Sequence, residues 1–151
     1  GKVCKDSIEI EGSGGLLKAI DIDAKNIPDL VPICATLACY AKGTSKIYNA
    51  SRLRFKESDR LASVYAELTK MGAQVEMDEN SLTVKGPCQL HGATVDPHND
   101  HRIAMACAVA ALGADGETTI ENAECVRKSY PLFFTDLKSI GVDIVGGKFD
   151  R

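Results

Sequence analysis

The sequence has little excess charge of either sign, which limits the classes of partner it can serve. Lys and Arg total 18 against 21 Asp and Glu, giving a net charge of -3, and no basic tract is present. The longest uncharged apolar run extends only from Leu30 to Ala41, whereas a membrane-spanning helix needs about 20 apolar residues. We therefore expect neither nucleic acid nor a membrane as a partner.

The sequence also lacks the cysteine patterns of zinc sites and disulfide frameworks. Its cysteines form no Cys-x-x-Cys pair and have no partner histidines at zinc spacing. Three of them lie in apolar helical runs, where Cys behaves as a small hydrophobic residue. We expect reduced, structural thiols in a cytoplasmic protein. The six positions are Cys4, Cys34, Cys39, Cys88, Cys107 and Cys125.

The 151 residues contain an internal repeat. Ile47-Tyr48-Asn49-Ala50 reappears as Ile120-Glu121-Asn122-Ala123, an offset of 73 (120 − 47 = 73). At the same offset Gly43 matches Gly116, and apolar positions follow it along the chain. Ordered matches of this kind indicate a duplicated structural unit.

Each unit is predicted to run strand, helix, strand, helix and hairpin, which gives an α/β fold of the α+β type. We expect a first unit at 21–90 and a second at 91–151. Residues 1–20 resemble the closing hairpin of an earlier unit, followed by the Gly12–Gly15 linker. The predicted helices lie near Pro28–Ala41, Glu57–Met71, Asn99–Leu112 and Tyr130–Ile140. The predicted strands lie near Thr44–Asn49, Gln74–Met77, Ser81–Lys85, Glu117–Glu121 and Val142–Val145.

Two cations and two carboxylates are concentrated in Lys56-Glu57-Ser58-Asp59-Arg60, at the predicted start of the second helix. Positions i and i+4 share a helix face, so Lys56 and Arg60 are expected to project together. A site that holds an anion and moves a proton needs this mixture of side chains. An ordinary solvated helix surface carries the same residue types, so this motif alone does not distinguish a functional site from such a surface.

The second unit places further polar residues at equivalent positions. Asn99-Asp100-His101-Arg102 opens its first helix, and Arg102 matches Asp29 at the offset of 73. Lys128 matches Lys56 one deletion later, at an offset of 72. Helix N-termini favour phosphate and carboxylate groups. Cations gathered there predict an anionic ligand with more than one charged group, although each of these residues is also common at an ordinary helix start.

These motifs resemble the 5-enolpyruvylshikimate-3-phosphate synthase family. The matching stretches are Asn26–Asp29, Arg54–Leu61, Asn99–Met105 and Val126–Pro131. The resemblance implies repeated βαβαββ units in the inside-out α/β barrel fold of enolpyruvyl transferases. It also implies transfer of the enolpyruvyl group of phosphoenolpyruvate to the 5-hydroxyl of shikimate 3-phosphate, in the pathway to chorismate and the aromatic amino acids. No metal or organic cofactor is implied.

The resemblance assigns roles residue by residue. Asp29 would be the base on the shikimate hydroxyl, and Glu57 would exchange protons at the enolpyruvyl methylene carbon. Lys56 would contact shikimate 3-phosphate and share the proton transfer. Phosphoenolpyruvate would be held by Arg60, Arg102 and Lys128, with His101 shaping the site. Arg52 stands where some members have a smaller polar residue, so no role is carried to it.

The family's active site lies between two domains, and the N-terminal domain is absent from this sequence. We therefore expect that domain to be a partner and the isolated chain to have no appreciable turnover. Two alternatives remain open: the related enolpyruvyl transferase acting on UDP-N-acetylglucosamine, and a non-catalytic repeat module that binds an anion or a protein.

Overall fold

The computed structural model describes residues 2–4, 6–12, 15 and 17–146, with the backbone alone described for 2–4. Within these ranges the strands are β1 Lys2–Cys4, β2 Ser7–Glu9, β3 Leu17–Lys18, β4 Ile22–Asp23, β5 Ala41–Tyr48, β6 Val75–Met77, β7 Leu82–Gly86, β8 Thr94–Val95 and β9 Thr119–Ile120. The α-helices are α1 Val31–Tyr40, α2 Arg60–Lys70, α3 His101–Ala111 and α4 Phe133–Ser139. Three 3-10 helices lie at Pro28–Leu30, Ser51–Phe55 and Ala123–Lys128.

Strand β5 is the centre of the main sheet. It pairs in parallel with β3 and β4 and antiparallel with β7, which in turn pairs antiparallel with β6. The β6–β7 hairpin turns at Asp78–Asn80, as the alternation on either side predicts. Strands β8 and β9 form a separate parallel pair, and β1 and β2 an antiparallel one. The mixed α/β class predicted from the sequence is confirmed.

The strand register repeats along the chain. Ile22 of β4 pairs with Ile47 of β5, and 73 residues later Val95 of β8 pairs with Ile120 of β9. The corresponding pairs just upstream are Lys18 with Lys42 and His91 with Asp115. The sequence offset therefore corresponds to one repeated backbone arrangement, while the unit boundaries at 20 and 90 stay a prediction.

Backbone conformations repeat at the same offset. Asn49 has φ 57° and Asn122 has φ 46°, both in the left-handed region that Asn tolerates better than most residues. Gly43 and Gly116 likewise have φ 116° and 87°. These four residues share positive φ values at matched positions, so the repeat is visible in the backbone as well as in the sequence.

One hydrophobic core joins the two units. Val31 of α1, Leu61 and Leu68 of α2, and Ile103 of α3 are all buried in the same cluster. Each such side chain contributes about 1.5–3 kcal/mol by leaving water. Thr36 Oγ1 of α1 also donates to the carbonyl of Ala106 in α3 at 3.1 Å, fully buried. Packing α1 and α2 against α3 holds the helix starts, and hence the polar residues there, close together.

Helix α2 begins at Arg60, so the prediction of a start at Glu57 was wrong. The reason is the N-cap: Asp59 Oδ1 accepts a hydrogen bond from the backbone N–H of Ala62 at 3.1 Å, which fixes the first turn. The predicted end is confirmed, because the helix ends at Lys70 and Gly72 follows with φ 90°.

The C-terminal predictions were less accurate. Helix α4 begins at Phe133 rather than near Tyr130, since Pro131 disfavours helical geometry in the residue before it. The predicted strand Val142–Val145 is wrong: its backbone is irregular, with no strand pairing among the described residues. The Gly12–Gly15 linker falls partly outside the described residues. No described helix has the length and apolarity to cross a membrane.

Candidate active site

Arg60, the first residue of α2, is the centre of a charge cluster. Its side chain is only 1% exposed, yet it meets three carboxylates. Nη1 donates to Asp29 at 2.7 Å, Nη2 to Glu57 at 2.6 Å, and Nε to Asp100 at 2.8 Å. The starts of three separate helical segments thus converge on one buried guanidinium, whose planar fork suits multidentate carboxylate binding.

Asp100 links this cluster to helix α3. As the N-cap of α3 it accepts the backbone N–H of Arg102 through Oδ1 at 2.9 Å. Ser58 Oγ donates to its Oδ2 at 3.1 Å, and Arg60 Nη2 adds a second bond at 3.2 Å. The fully buried carboxylate is therefore saturated with donors, as a buried charge requires. Asp100 fixes the first turn of α3 relative to the first turn of α2.

Asp29 is one of two solvent-accessible carboxylates in the cluster, the other being Glu57. It lies in the 3-10 helix Pro28–Leu30 with its side chain 49% exposed. Lys56 Nζ is 3.3 Å from Asp29 Oδ1, and Arg102 Nη2 is 3.9 Å from Oδ2. Partial burial raises the pKa of Asp29, but hydrogen bonds from Arg60 and Lys56 outweigh it, so the pKa lies below 3.8. Asp29 is thus ionised and able to accept a proton at neutral pH.

The buried pair Arg60–Asp100 also stays charged. Burial opposes ionisation of both groups, but their mutual hydrogen bonds prevail: the pKa of Asp100 is lowered and that of Arg60 is raised. The cluster combines two buried opposite charges with two carboxylates near the surface. Such a preorganised arrangement needs no rearrangement to stabilise charge that develops beside it.

His101 and Lys128 border the cluster. His101 is 6% exposed, and its Nδ1 has no hydrogen-bond partner among the described residues. Burial lowers its pKa, which favours the neutral ring. Lys128 Nζ donates to the backbone carbonyl of Asn99, two residues before His101. Arg102 Nε is a second buried donor with no partner in the described part of the chain. Native proteins leave few such groups unpaired, and Thr118 Oγ1 is a third in the described part of the chain. The atoms of His101 and Arg102 are buried, but they have hydrogen-bonding capacity beside the cluster that no described group uses.

An open cleft of about 530 Å³ lies beside Lys56. Its lining is mainly polar and basic, which suits an anion of small-molecule size. The lining residues are Lys25, Asn26, Pro28, Arg52, Phe55 and Lys56.

Comparison with known proteins accounts for this constellation. Residues 3–137 match the family described as EPSP synthase (3-phosphoshikimate 1-carboxyvinyltransferase). The chain belongs to the EPSP synthase family. It is 54% identical over 131 residues to the 3-phosphoshikimate 1-carboxyvinyltransferase of Methanocella arvoryzae, covering 87% of this chain and 31% of that protein. The enzyme of the same name from Methanocaldococcus jannaschii is 47% identical over 143 residues, covering 95% of this chain and 33% of that protein.

Solved structures show the same fold. EPSP synthase from Acinetobacter baumannii superposes with a TM-score of 0.75 at 30% identity, over 83% of this chain and 30% of that one. The enolpyruvyl transferase NikO from Streptomyces tendae gives 0.71 at 28% identity, over 83% and 28%. The fold is therefore that of the enolpyruvyl transferases. The chain spans about a third of the length of the curated EPSP synthases that it matches.

The folded chain brings residues from three of the four family-like motifs into contact. Asp29, Lys56, Glu57, Arg60 and Arg102 come together within one network of contacts below 4 Å. Their individual roles in catalysis and binding remain a prediction.

The expected placement of two lysines was wrong. Lys56 is the C-terminal cap of the 3-10 helix Ser51–Phe55, and Lys128 is the last residue of the 3-10 helix Ala123–Lys128. Neither opens a helix, because the 3-10 helices occupy the residues immediately before them. At a helix C-terminus the helix dipole favours a cation, so both lysines are electrostatically stabilised where they lie. Arg60 and Arg102 are the cations that do lie in first turns.

The sequence reasoning missed Asp100 and Ser58 as members of the site. Both stood in the quoted motifs, but neither received a role. An Asp directly before an apolar helical run is an N-cap signal, and that signal could have identified Asp100. Its second contact, with Arg60, lies 40 residues away in sequence and only becomes visible in the folded chain.

The described residues contain no group of three or more His, Cys, Asp or Glu side chains placed to hold a metal ion. The five cysteines whose side chains the structure describes are free, at Cys34, Cys39, Cys88, Cys107 and Cys125. Burial raises the pKa of the Cys39 and Cys107 thiols to about 12, so these two are inert thiols at neutral pH.

Proposed function

We propose that the complete protein containing this chain transfers the enolpyruvyl group of phosphoenolpyruvate to the 5-hydroxyl of shikimate 3-phosphate. The observation that supports this most directly is the cluster of Asp29, Glu57, Lys56 and Arg102 around the buried Arg60. It joins two carboxylates fit for proton transfer to cations fit for a phosphate and a carboxylate. Its four sequence motifs are also those of the family.

In this proposal Asp29 accepts the proton of the attacking hydroxyl as its oxygen bonds to C2 of phosphoenolpyruvate. Glu57, with Lys56 sharing the work, delivers a proton to the methylene carbon, giving a tetrahedral intermediate. Loss of phosphate, which takes up the proton held by Asp29, and return of a methyl proton to Glu57 restore the double bond and bring both carboxyl groups back to their starting states. The lowered pKa of Asp29 keeps it ionised for the first step.

Arg102 and Lys128 are proposed to hold the phosphate and carboxylate of phosphoenolpyruvate, and Lys56 with Asp29 the shikimate 3-phosphate. Arg60, whose side chain is 1% exposed, would join Arg102 and Lys128 once phosphoenolpyruvate displaces Asp29 or Glu57 from its guanidinium. The unpartnered Nε of Arg102 and Nδ1 of His101 would gain acceptors from the substrate. Arginine grips such groups through paired hydrogen bonds. We also propose that the remaining domain of the protein closes the other side of the cleft, and that the enzyme works in the cytoplasm, consistent with its free thiols.

The test is phosphate release from phosphoenolpyruvate by the complete protein, with product identified by mass spectrometry. Shikimate 3-phosphate and UDP-N-acetylglucosamine are offered separately. Release that depends on shikimate 3-phosphate supports the proposal; release that depends on the nucleotide sugar contradicts it. Asp29→Asn and Glu57→Gln should each lower kcat by about 10²–10⁴-fold. If kcat is unchanged in both variants, the result would favour the alternative that this chain is a non-catalytic anion-binding module within the complete protein.

A further inference from the structure

A second buried charge on helix α2 lies outside the site. Glu67 is 1% exposed, and its carboxylate accepts hydrogen bonds from three partners. One comes from Lys70 Nζ in the same helix at 2.8 Å, and one links it to His98 Nε2 at 3.0 Å. The third comes from the backbone N–H of Asp96, also at 3.0 Å. Two of the three partners therefore belong to the segment that precedes α3.

The segment from Asp96 to Asp100 has an unfavourable backbone. His98 and Asn99 have φ 52° and 57°, two consecutive non-glycine residues in the left-handed region. Each such residue costs of order 1 kcal/mol and persists only when its surroundings hold it in place. In this segment the backbone N–H of His98 donates to Asp96 Oδ1. The equivalent segment of the first unit has the same hydrogen bond, from the backbone N–H of Lys25 to Asp23 Oδ1, but it has no left-handed residue.

Helix α2 holds this segment at both ends. Arg60 and Glu67 are seven residues apart, so they lie on one face and are separated by about 10 Å along the axis. Arg60 binds the Asp100 end and Glu67 binds the Asp96 end. The left-handed residues lie between the two anchors. Immediately beyond them come His101, with its unpartnered Nδ1, and Arg102.

Stability alone does not require a carboxylate at position 67. The rest of the buried face of α2 is mostly apolar, with Leu61, Val64 and Leu68. Replacing a buried ion pair by an apolar residue of similar volume is often neutral or stabilising. What an apolar side chain cannot supply is an acceptor for the Asp96 N–H and for His98.

We propose that Glu67 is a positioning residue: it fixes the turn Asp96–Asn99 and thereby sets the aim of Arg102 and His101 toward phosphoenolpyruvate. This rests on the proposed function for its consequence in binding, although the anchoring of the turn does not. Glu67 touches no substrate. Loosening the turn lets the first residues of α3 shift, and small displacements of binding groups have large effects on rate.

The test compares Glu67→Met with Glu67→Gln in the complete protein. Met keeps the volume and removes every acceptor; Gln keeps an acceptor for the Asp96 N–H. Glu67→Met should speed hydrogen–deuterium exchange across residues 95–102 and raise KM for phosphoenolpyruvate about tenfold, with a smaller effect on KM for shikimate 3-phosphate. Glu67→Gln should restore most of both.

Val84→Ala is the matched control, since it removes buried volume from the sheet core without touching the turn. It should lower the melting temperature while leaving exchange across 95–102 and KM unchanged. If Glu67→Met behaves like Val84→Ala, the proposal is overturned. Should Glu67→Met fail to fold, His98→Ala at its half-exposed position decides instead, and unchanged exchange across 95–102 overturns the proposal.

The proposed function and the positioning role of Glu67 can be refuted independently of each other. A complete wild-type protein without enolpyruvyl transfer refutes the proposed function, whereas the exchange measurement needs no substrate. Faster exchange in Glu67→Met with unaltered KM in an active enzyme would refute the positioning role while leaving the proposed function intact.

Discussion

At the scale of single residues, Arg60 has the largest predicted effect. Its guanidinium is the only described cation that contacts Asp29, Glu57 and Asp100 together. Removing it would leave Asp100 charged, buried and without its main partner. An exposed pair elsewhere would lose little by the same change, because solvent already screens it.

Arg60→Met should therefore lower the free energy of unfolding by about 3–5 kcal/mol. Arg54→Met, which breaks the partly exposed pair with Asp59, should cost at most about 1 kcal/mol. The double variant Arg60→Met/Asp100→Leu should recover part of the loss, because no unpaired charge is left. Urea unfolding of the complete protein measures all three. Equal losses for the two single variants would contradict this view of the cluster.

The Asp100 carboxylate also predicts how stability depends on pH. Its pKa is lower in the folded chain than the ordinary 3.8, so the unfolded state binds the proton first as the pH falls. The stabilisation is complete well above pH 3.8 and is lost as the pH falls toward the folded pKa. Asp100→Asn should flatten the decline in stability between about pH 5 and pH 3. Urea midpoints across that range test it; an equally steep decline in the variant would assign acid sensitivity to other groups.

At the scale of elements, helix ends were predicted better than helix starts. Gly72 indicates the end of α2 in the sequence, because glycine is the residue that best adopts the positive φ found after a helix end. The start was placed too early because Lys56-Glu57-Ser58 continues the helical charge pattern up to the capping Asp59. Only the tertiary contacts to Asp29 and Asp100 show that the segment is irregular, and such contacts have no local signature.

The sequence predicted which residues belong to the candidate site better than it predicted how they are arranged in space. The repeat offset paired Asp29 with Arg102 and Lys56 with Lys128, whereas Arg60 was found from the charges of its own motif. The burial of Arg60 was not predictable, since Arg is rarely buried and two of its three carboxylate partners, Asp29 and Asp100, lie 31 and 40 residues away in sequence. Short strands such as β8 were also beyond reach, because two residues carry too little periodicity to be read.

Three glycines give a graded test of element ends. Gly72 has φ 90°, and an added Cβ would lie 2.9 Å from His91. Gly141 has φ 101° in open space, and Gly12 has neither constraint. Ala substitution should cost about 1–2 kcal/mol at Gly141 for the left-handed backbone, more at Gly72, and close to nothing at Gly12. Thermal unfolding of the three variants should follow that order; a loss at Gly12 comparable to that at Gly72 would contradict it.

At the scale of the whole molecule, the site beside Arg60 is open to solvent in a chain that is shorter than its relatives. Asp29 and the cleft beside Lys56 are open to solvent, while the chain spans about a third of the length of its relatives. Large apolar side chains are also exposed near the N-terminal strands, among them Ile8 at 70% and Ile10 at 87%. Exposed apolar surface of this kind marks contacts with other segments.

The isolated chain should therefore show no steady phosphate release from phosphoenolpyruvate and shikimate 3-phosphate, because the proposed second domain would have to supply the remaining substrate contacts. Adding the remainder of the protein as a separate polypeptide should restore release in proportion to the complex formed. A coupled phosphate assay follows both. Turnover by the isolated chain would show that the residues around Arg60 are sufficient.

The repeat has a consequence for how such a site can arise. Asp29 and Arg102 occupy the same position in successive units, and the fold brings them within 3.9 Å of each other. Two unchanged copies of one unit would set like charges face to face at that point, which is destabilising. The repeated fold therefore brings position 29 of one unit next to position 102 of the other. A carboxylate and a guanidinium can face each other there only because the two copies have diverged in sequence.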